Sequence, residues 1–211
     1  MTLNTKNIYP LVDKIGRPLH DLRISVIDRC NFRCTYCMPD EEYSKHYQFL
    51  KEKDWLTFDE IKRLVGLFIG LGVKKIRLTG GEPLLRPHLV KLVDDLSQHS
   101  AIEDLALTTN GSLLAGHAVN LRHAGLKRIT VSLDTLDSRV FKQMNGHKGS
   151  VKDVLDGIKA ARLAGFDSIK INIVVQRGVN DHTILDLVEY FKGTPHVLRF
   201  IEYMDVGNCN H

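Results

Sequence analysis

Six strand-like runs, each but the last followed by a helix-like stretch, recur along the 211 residues. That alternation restricts the chain to an α/β fold built on a parallel sheet. The runs are 22–27, 74–79, 104–109, 128–133, 169–175 and 197–202. Between the first two, Thr57-x-x-Glu60 forms a capping box. The helix it opens should carry Ile61, Leu64, Val65 and Phe68 on one face and close near Gly70 and Gly72. Further helices are expected near 88–98, 113–123, 138–144, from Ser150-x-x-Asp153 to Gly165, and after Asn180-Asp181. The expected architecture is a single domain over 1–211, a partial (β/α)6 barrel with helices on its outer face. A flat doubly wound sheet is the alternative, but no G-x-G-x-x-G run supports it.

Read with period two, each strand has an apolar and a polar side. Ile76 and Leu78 oppose Lys75, Arg77 and Thr79; Leu105 and Leu107 oppose Ala106 and Thr108; Ile169, Ile171 and Ile173 oppose Lys170 and Asn172. In the first strand Ile24 opposes Arg23, and in the last Leu198 and Phe200 oppose Arg199. Crossover helices cover the apolar side, so the polar side faces inward. That interior would hold Arg23, Lys75, Arg77, Lys170 and Arg199, with few acids beside them. Uncompensated cations in such a place call for an anion. The bland alternative is solvated strands or internal ion pairs.

Directly after the first strand stands Cys30-x3-Cys34-x2-Cys37. Three thiolates on one short loop can hold one compact metal centre. A cubane Fe–S cluster with three protein ligands keeps one iron open to a small molecule. A disulfide framework is disfavoured by four cysteines in 211 residues with three clustered and no secretory signal. Zinc with a distant fourth ligand stays open; His46 is the nearest histidine after the loop. A second loop, Thr79-Gly80-Gly81-Glu82-Pro83, ends the second strand. Its glycines would let backbone approach a ligand closely, and an exposed Glu82 carboxylate could accept from an ammonium.

Composition sets the remaining bounds. Hydrophobic residues make up 43% and charged residues 26%, with a formal charge of +4. No run of 18 apolar residues exists, and Asp13 and Pro18 break any signal-peptide pattern. A cytoplasmic setting without membrane contact is therefore expected. The mild positive charge suits an anionic small molecule, and no basic stripe with interleaved aromatics marks a nucleic-acid surface.

Cys-x3-Cys-x2-Cys with Tyr36 before the last cysteine, followed by the Gly-Gly-Glu-Pro loop, resembles the radical S-adenosylmethionine (SAM) superfamily. Within it the chain is most similar to the GTP 3′,8-cyclase family of molybdenum-cofactor biosynthesis. The motifs carrying that likeness run from Leu22-Arg-Ile-Ser-Val26 through Cys34-Thr-Tyr-Cys-Met-Pro39, Ile76-Arg-Leu-Thr-Gly-Gly-Glu-Pro83, Thr108-Thr-Asn-Gly111, Val131-Ser-Leu-Asp134 and Lys170-Ile-Asn172 to Phe200-Ile-Glu-Tyr-Met-Asp-Val-Gly-Asn208. The resemblance implies a radical SAM barrel with a [4Fe–4S] cluster on Cys30, Cys34 and Cys37 and SAM on the open iron. It implies Tyr36, Gly80, Gly81, Glu82, Ser132 and Met204 around SAM. Arg23, Arg77, Thr108 and Lys170 would bind GTP, with Lys75 and Arg199 added from the cationic face.

Further implied partners are a one-electron reductant and the downstream cyclic pyranopterin monophosphate synthase, with the chain a monomer or homodimer. Full-length members carry a second [4Fe–4S] cluster in a C-terminal Cys-x2-Cys…Cys segment. This chain reads either as a fragment or as a variant lacking the second cluster, with Cys209 expected not to be a ligand. Two other readings compete. A peptide-modifying radical SAM enzyme would leave the cationic interior unexplained. An electron-transfer Fe–S module would need a fourth cysteine and leave the Gly-Gly-Glu-Pro loop without a role.

Overall fold

A computed structural model of the chain describes residues 11–204. Six parallel strands form one sheet in sequence order: β1 (Asp21–Ser25), β2 (Lys75–Thr79), β3 (Asp104–Thr109), β4 (Arg128–Ser132), β5 (Lys170–Val175) and β6 (Val197–Glu202). Among the described residues each of these strands pairs only with its neighbours in sequence, so β1 and β6 are the edges of an unclosed barrel wall. Among the described residues six helices connect them: α1 (Phe58–Gly70), α2 (Leu89–Ser97), α3 (Ala118–His123), α4 (Ser138–Met144), α5 (Val151–Leu163) and α6 (Ile184–Phe191). Among the described residues no helix is long and apolar enough to cross a membrane.

The apolar side of the central strands is sealed. Leu78, Leu107, Val131, Ile171 and Ile173 have no exposed surface, and Ile76, Leu105 and Ile129 have 1%. Burying each such side chain contributes about 1.5–3 kcal/mol. The helices that supply the cover start where local chemistry stops the chain from extending. Thr57 Oγ1 accepts from the Glu60 N–H at 3.2 Å and the Glu60 carboxylate accepts from the Thr57 N–H at 2.7 Å, the reciprocal cap read from the sequence. Asp137 caps α4 by accepting from Arg139 and Val140, and Ser150 caps α5 by accepting from Asp153.

Three details depart from the sequence reading. β1 ends at Ser25, because Val26 and Ile27 already belong to the loop that carries the cysteines. The expected helix over 113–123 is divided into a 3-10 turn, Leu114–Gly116, and α3; Gly116 is a weak helix former and interrupts the run. Leu64 is 39% exposed rather than buried with Ile61 and Val65, since the core side of α1 is narrower than its apolar stripe.

Candidate active site

The cysteine loop and the Gly-Gly-Glu-Pro loop leave adjacent strand ends and are bonded to each other. Val26 N–H donates to Thr79 C=O at 2.9 Å, Gly81 N–H to Ile27 C=O at 2.8 Å, and Glu82 N–H to Arg29 C=O at 2.8 Å. A side chain at Gly80 would bring a Cβ within 2.6 Å of the Ile27 carbonyl, and one at Gly81 would strike the Arg29 carbonyl. The two glycines are thus needed for loop against loop, a closer constraint than the ligand approach expected from sequence.

Glu82 corrects the sequence reading more sharply. It is 1% exposed, and its carboxylate already accepts from Leu84 N–H (3.0 Å), Thr109 Oγ1 (2.7 Å) and Asn110 N–H (2.7 Å). Burial raises its pKa, and the three donors partly offset that rise. Glu82 therefore works here as a clasp between the loops after β2 and β3; the spacing alone suggests an exposed turn because it says nothing about what lies above it.

The cysteine loop rests on the end of α4. Arg33 N–H donates to Asn145 C=O at 3.0 Å and Thr35 N–H to Met144 C=O at 2.9 Å. Phe32 is buried edge-on to Phe141, ring centres 5.9 Å apart. The Arg33 guanidinium donates to the carbonyls of Cys30, Phe32 and Tyr43. Thus a charged side chain flanking the motif holds the loop's shape. Cys30 and Cys34 are half-buried and Cys37 is exposed. Burial pushes all three thiols up. Cys34 is raised further by Asp134 and by Cys30 and Cys37, while Arg23 pulls Cys37 down.

Three soft donors on one short loop, with Cys30 and Cys34 feeling the charge of their neighbours, fit a shared cationic centre, which relieves that repulsion and stabilises the thiolates. Among the described residues no three His, Cys, Asp or Glu side chains gather around a point for a single ion. A cubane places each thiolate on a different iron, so its ligands stand further apart than at a mononuclear site. Cys30, Cys34 and Cys37 would hold it.

Tyr36 points into the molecule. Its hydroxyl donates to Asp134 Oδ2 at 2.6 Å, and Asp134 Oδ1 accepts from the Val174 N–H at 2.8 Å. Burial lifts the Asp134 carboxyl to about 6, against the pull of those two donors. Asp134, Asn110, Asn172 and Arg33 were not singled out from sequence. The first three lie inside or at the end of motifs quoted above, so the signal was there without a way to assign a role.

Register places the inward side chains in rows. Arg23, Arg77, Ala106 and Arg128 align across β1–β4. Thr108, Thr130 and Lys170 align above them, and Ser132, Asn172 and Arg199 form the next row. Lys75 sits one row below Arg77, at the strand starts and away from the cysteine loop, in register with Asp21 and Asp104. The expectation of few acids was therefore wrong at that end: Asp104 also forms a two-pronged pair with Arg128, a cation the sequence reading passed over. A cavity of about 230 Å³ is lined by Arg23, Lys75, Arg77, Arg128 and these acids. Thr108 Oγ1 and Asn172 Oδ1 are buried without a partner among the described residues, on the inward side. Such atoms are costly unless a ligand or water serves them. Arg199 and Met204 are exposed, Met204 at 64%. Residues 205–208 and Cys209 lie outside the described residues.

Residues 24–191 match the radical SAM superfamily. The chain belongs to the radical SAM superfamily. Membership implies a [4Fe–4S] cluster and SAM. A GTP 3′,8-cyclase of Xanthomonas axonopodis pv. citri is 57% identical over 201 residues, covering 95% of this chain and 60% of that one. One from Staphylococcus epidermidis is 52% identical over 198 residues, covering 94% and 58%. The chain thus spans about 60% of the length of these curated relatives. Streptococcus suis SuiB, solved bound to S-adenosylmethionine, superposes with a TM-score of 0.71 at 18% identity over 89% of this chain and 41% of its own. That likeness concerns the fold.

Proposed function

We propose that this chain is the barrel portion of a GTP 3′,8-cyclase, which converts GTP to (8S)-3′,8-cyclo-7,8-dihydroguanosine 5′-triphosphate in molybdenum-cofactor biosynthesis. The observation that carries this reading is the inward row of Arg23 and Arg77 directly below the cysteine loop. The 57% identity to a cyclase supports it. When bound, the cluster and SAM supply a 5′-deoxyadenosyl radical that takes a hydrogen atom from substrate. The protein's own work is holding and orienting. Arg23 and Arg77 would grip the triphosphate with bidentate, permanently charged forks. Thr108 and Lys170, one row nearer the strand ends, would continue the grip.

Around SAM, Gly80 and Gly81 offer backbone, Ser132 a hydroxyl, and Tyr36 a wall fixed by Asp134. Met204 would join from the segment after β6. Glu82 would act from beneath, keeping the loops in place. Lys75 and Arg199 belong to the outskirts of the anion site. The reading brings with it a one-electron reductant, a downstream cyclic pyranopterin monophosphate synthase, a cytoplasmic setting and a single domain over the whole chain. A second [4Fe–4S] cluster is expected only in a full-length form.

Calorimetry of GTP binding to the anaerobically reconstituted chain tests the proposal. Arg77→Ala should weaken GTP by about tenfold or more, from losing one or more charge-assisted hydrogen bonds, with SAM affinity unchanged. Equal affinity for GTP and for uncharged guanosine would refute it.

A further inference from the structure

The loop after β3 contains a closed ring of side-chain hydrogen bonds that touches the cysteine motif. Asn31 Nδ2 donates to Ser112 Oγ at 2.9 Å, Ser112 Oγ donates to Asn110 Oδ1 at 2.7 Å, and Asn110 Nδ2 donates to Asn31 Oδ1 at 2.8 Å. The Ser112 N–H adds a second donor to Asn110 Oδ1 at 3.0 Å. Two donors on one atom identify it as the amide oxygen, so the orientation of Asn110 follows from its partners. The amide nitrogen keeps one hydrogen after serving Asn31, and its other neighbour is Cys30 Sγ at 3.9 Å. Phe32 N–H reaches the same sulfur at 3.4 Å. The Asn110 backbone is itself tied to buried Glu82. Glu82, Asn110 and Cys30 thus form a continuous connection from the Gly-Gly-Glu-Pro loop to the first cysteine.

We propose that Asn110 is a positioning and tuning residue for the iron–sulfur centre: its side-chain amide donates to the Cys30 sulfur and raises the reduction potential of the cluster held there. The inference rests on Cys30, Cys34 and Cys37 being cluster ligands. An N–H directed at a thiolate stabilises negative charge, and the reduced cluster carries one more negative charge than the oxidised one. The donor therefore favours reduction, and its removal makes reduction harder. Ser112 and Asn31 hold the amide so that its hydrogen is available to sulfur.

The test compares wild type, Asn110→Leu and Ser112→Ala after anaerobic reconstitution. Iron and sulfide are counted per chain, the reduced cluster's paramagnetic signal is followed in a redox titration, and proton hyperfine spectra are recorded in H2O and D2O. Asn110→Leu should shift the midpoint to a more negative value, equivalent to about tenfold in the reduction equilibrium, and lose one exchangeable-proton coupling. Ser112→Ala should shift it less, in the same direction. A wild-type midpoint and an intact coupling in Asn110→Leu overturn the proposal. If Asn110→Leu holds no cluster, Ser112→Ala decides: a shifted midpoint supports tuning, and an unchanged one overturns it. If neither variant holds a cluster, the ring is a structural staple and the tuning role is lost. Wild-type chain without iron and sulfide would instead overturn the cluster reading itself.

Discussion

The β1–β3 corner and the β6 edge are built from the same repeat yet differ in how completely the protein satisfies itself. At the corner, two loops are bonded backbone to backbone, Glu82 has three donors and is 1% exposed, and Asn110 has partners for its backbone N–H and for both polar atoms of its side chain. At the edge, Phe200 lies on the strand's apolar side but is 43% exposed, and Val197 is 50% exposed. Just inside it, Asn172 Oδ1 is buried with no partner among the described residues. In the first region the two loops hold each other before any ligand arrives, although Thr108 Oγ1 on the inward side of β3 has no partner among the described residues. The other leaves polar and apolar valence to something else. Rigid ligand chemistry belongs in the first, because a cluster tolerates little displacement of its thiolates.

Replacing any of Cys30, Cys34 or Cys37 by Ser should break this comparison most severely. Three donors leave none to spare, so reconstituted variants should lose the cluster, read as labile iron and sulfide falling from about four each per chain to near zero. Stoichiometric zinc with no labile sulfide in wild type would overturn the comparison at its root. The next largest effect lies in packing. Leu107→Ala, with no exposed surface, should cost about 2–5 kcal/mol in denaturant unfolding of the apo chain. Phe200→Ala, already half in water, should cost well under that range. A comparable loss at both would mean that the edge is covered in solution.

Within the cationic wall the contrast is between neighbouring rows. Arg77→Ala should lower GTP affinity by about tenfold or more. Lys75→Ala should lower it several times less, because Lys75 stands one row further from the cysteine loop, with Asp21 and Asp104 beside it in register. Equal losses would place the phosphates at the strand starts. The smallest effect is a pH dependence. Asp134 has its pKa raised to about 6 by burial, so the protonated carboxyl favours the native state. Its contribution is complete below the ordinary carboxylate pKa of about 4 and disappears as pH rises through about 6. Unfolding of the apo chain should therefore show a fall in stability across that window which Asp134→Asn removes; an unchanged profile in the variant would show that another group titrates there.

The order of elements, the parallel sheet and the Thr57–Glu60 cap were legible in the sequence because periodicity and capping are local, set by residues three or four apart. The cysteine spacing was legible for the same reason. The role of Glu82 was not. Its three donors include Thr109 and Asn110, 27 and 28 residues away, and only folding brings the loops after β2 and β3 together. Asp134 meets Tyr36 across 98 residues of chain, and Lys75 finds Asp21 and Asp104 only through strand register. Leu64 belonged to the apolar stripe by pattern and to the surface by geometry, since a helix buries only the arc that meets its neighbour.

By itself, then, the sequence specified which side chains a strand would turn inward and which loop would carry three thiols, because alternation and loop position are properties of adjacent residues. Which of those inward charges would be neutralised by protein, which carboxylate would be a clasp, and which amide would reach a cysteine sulfur were decided by tertiary structure. Burial and hydrogen-bond satisfaction depend on atoms that the chain delivers from far away, and no local pattern encodes their arrival.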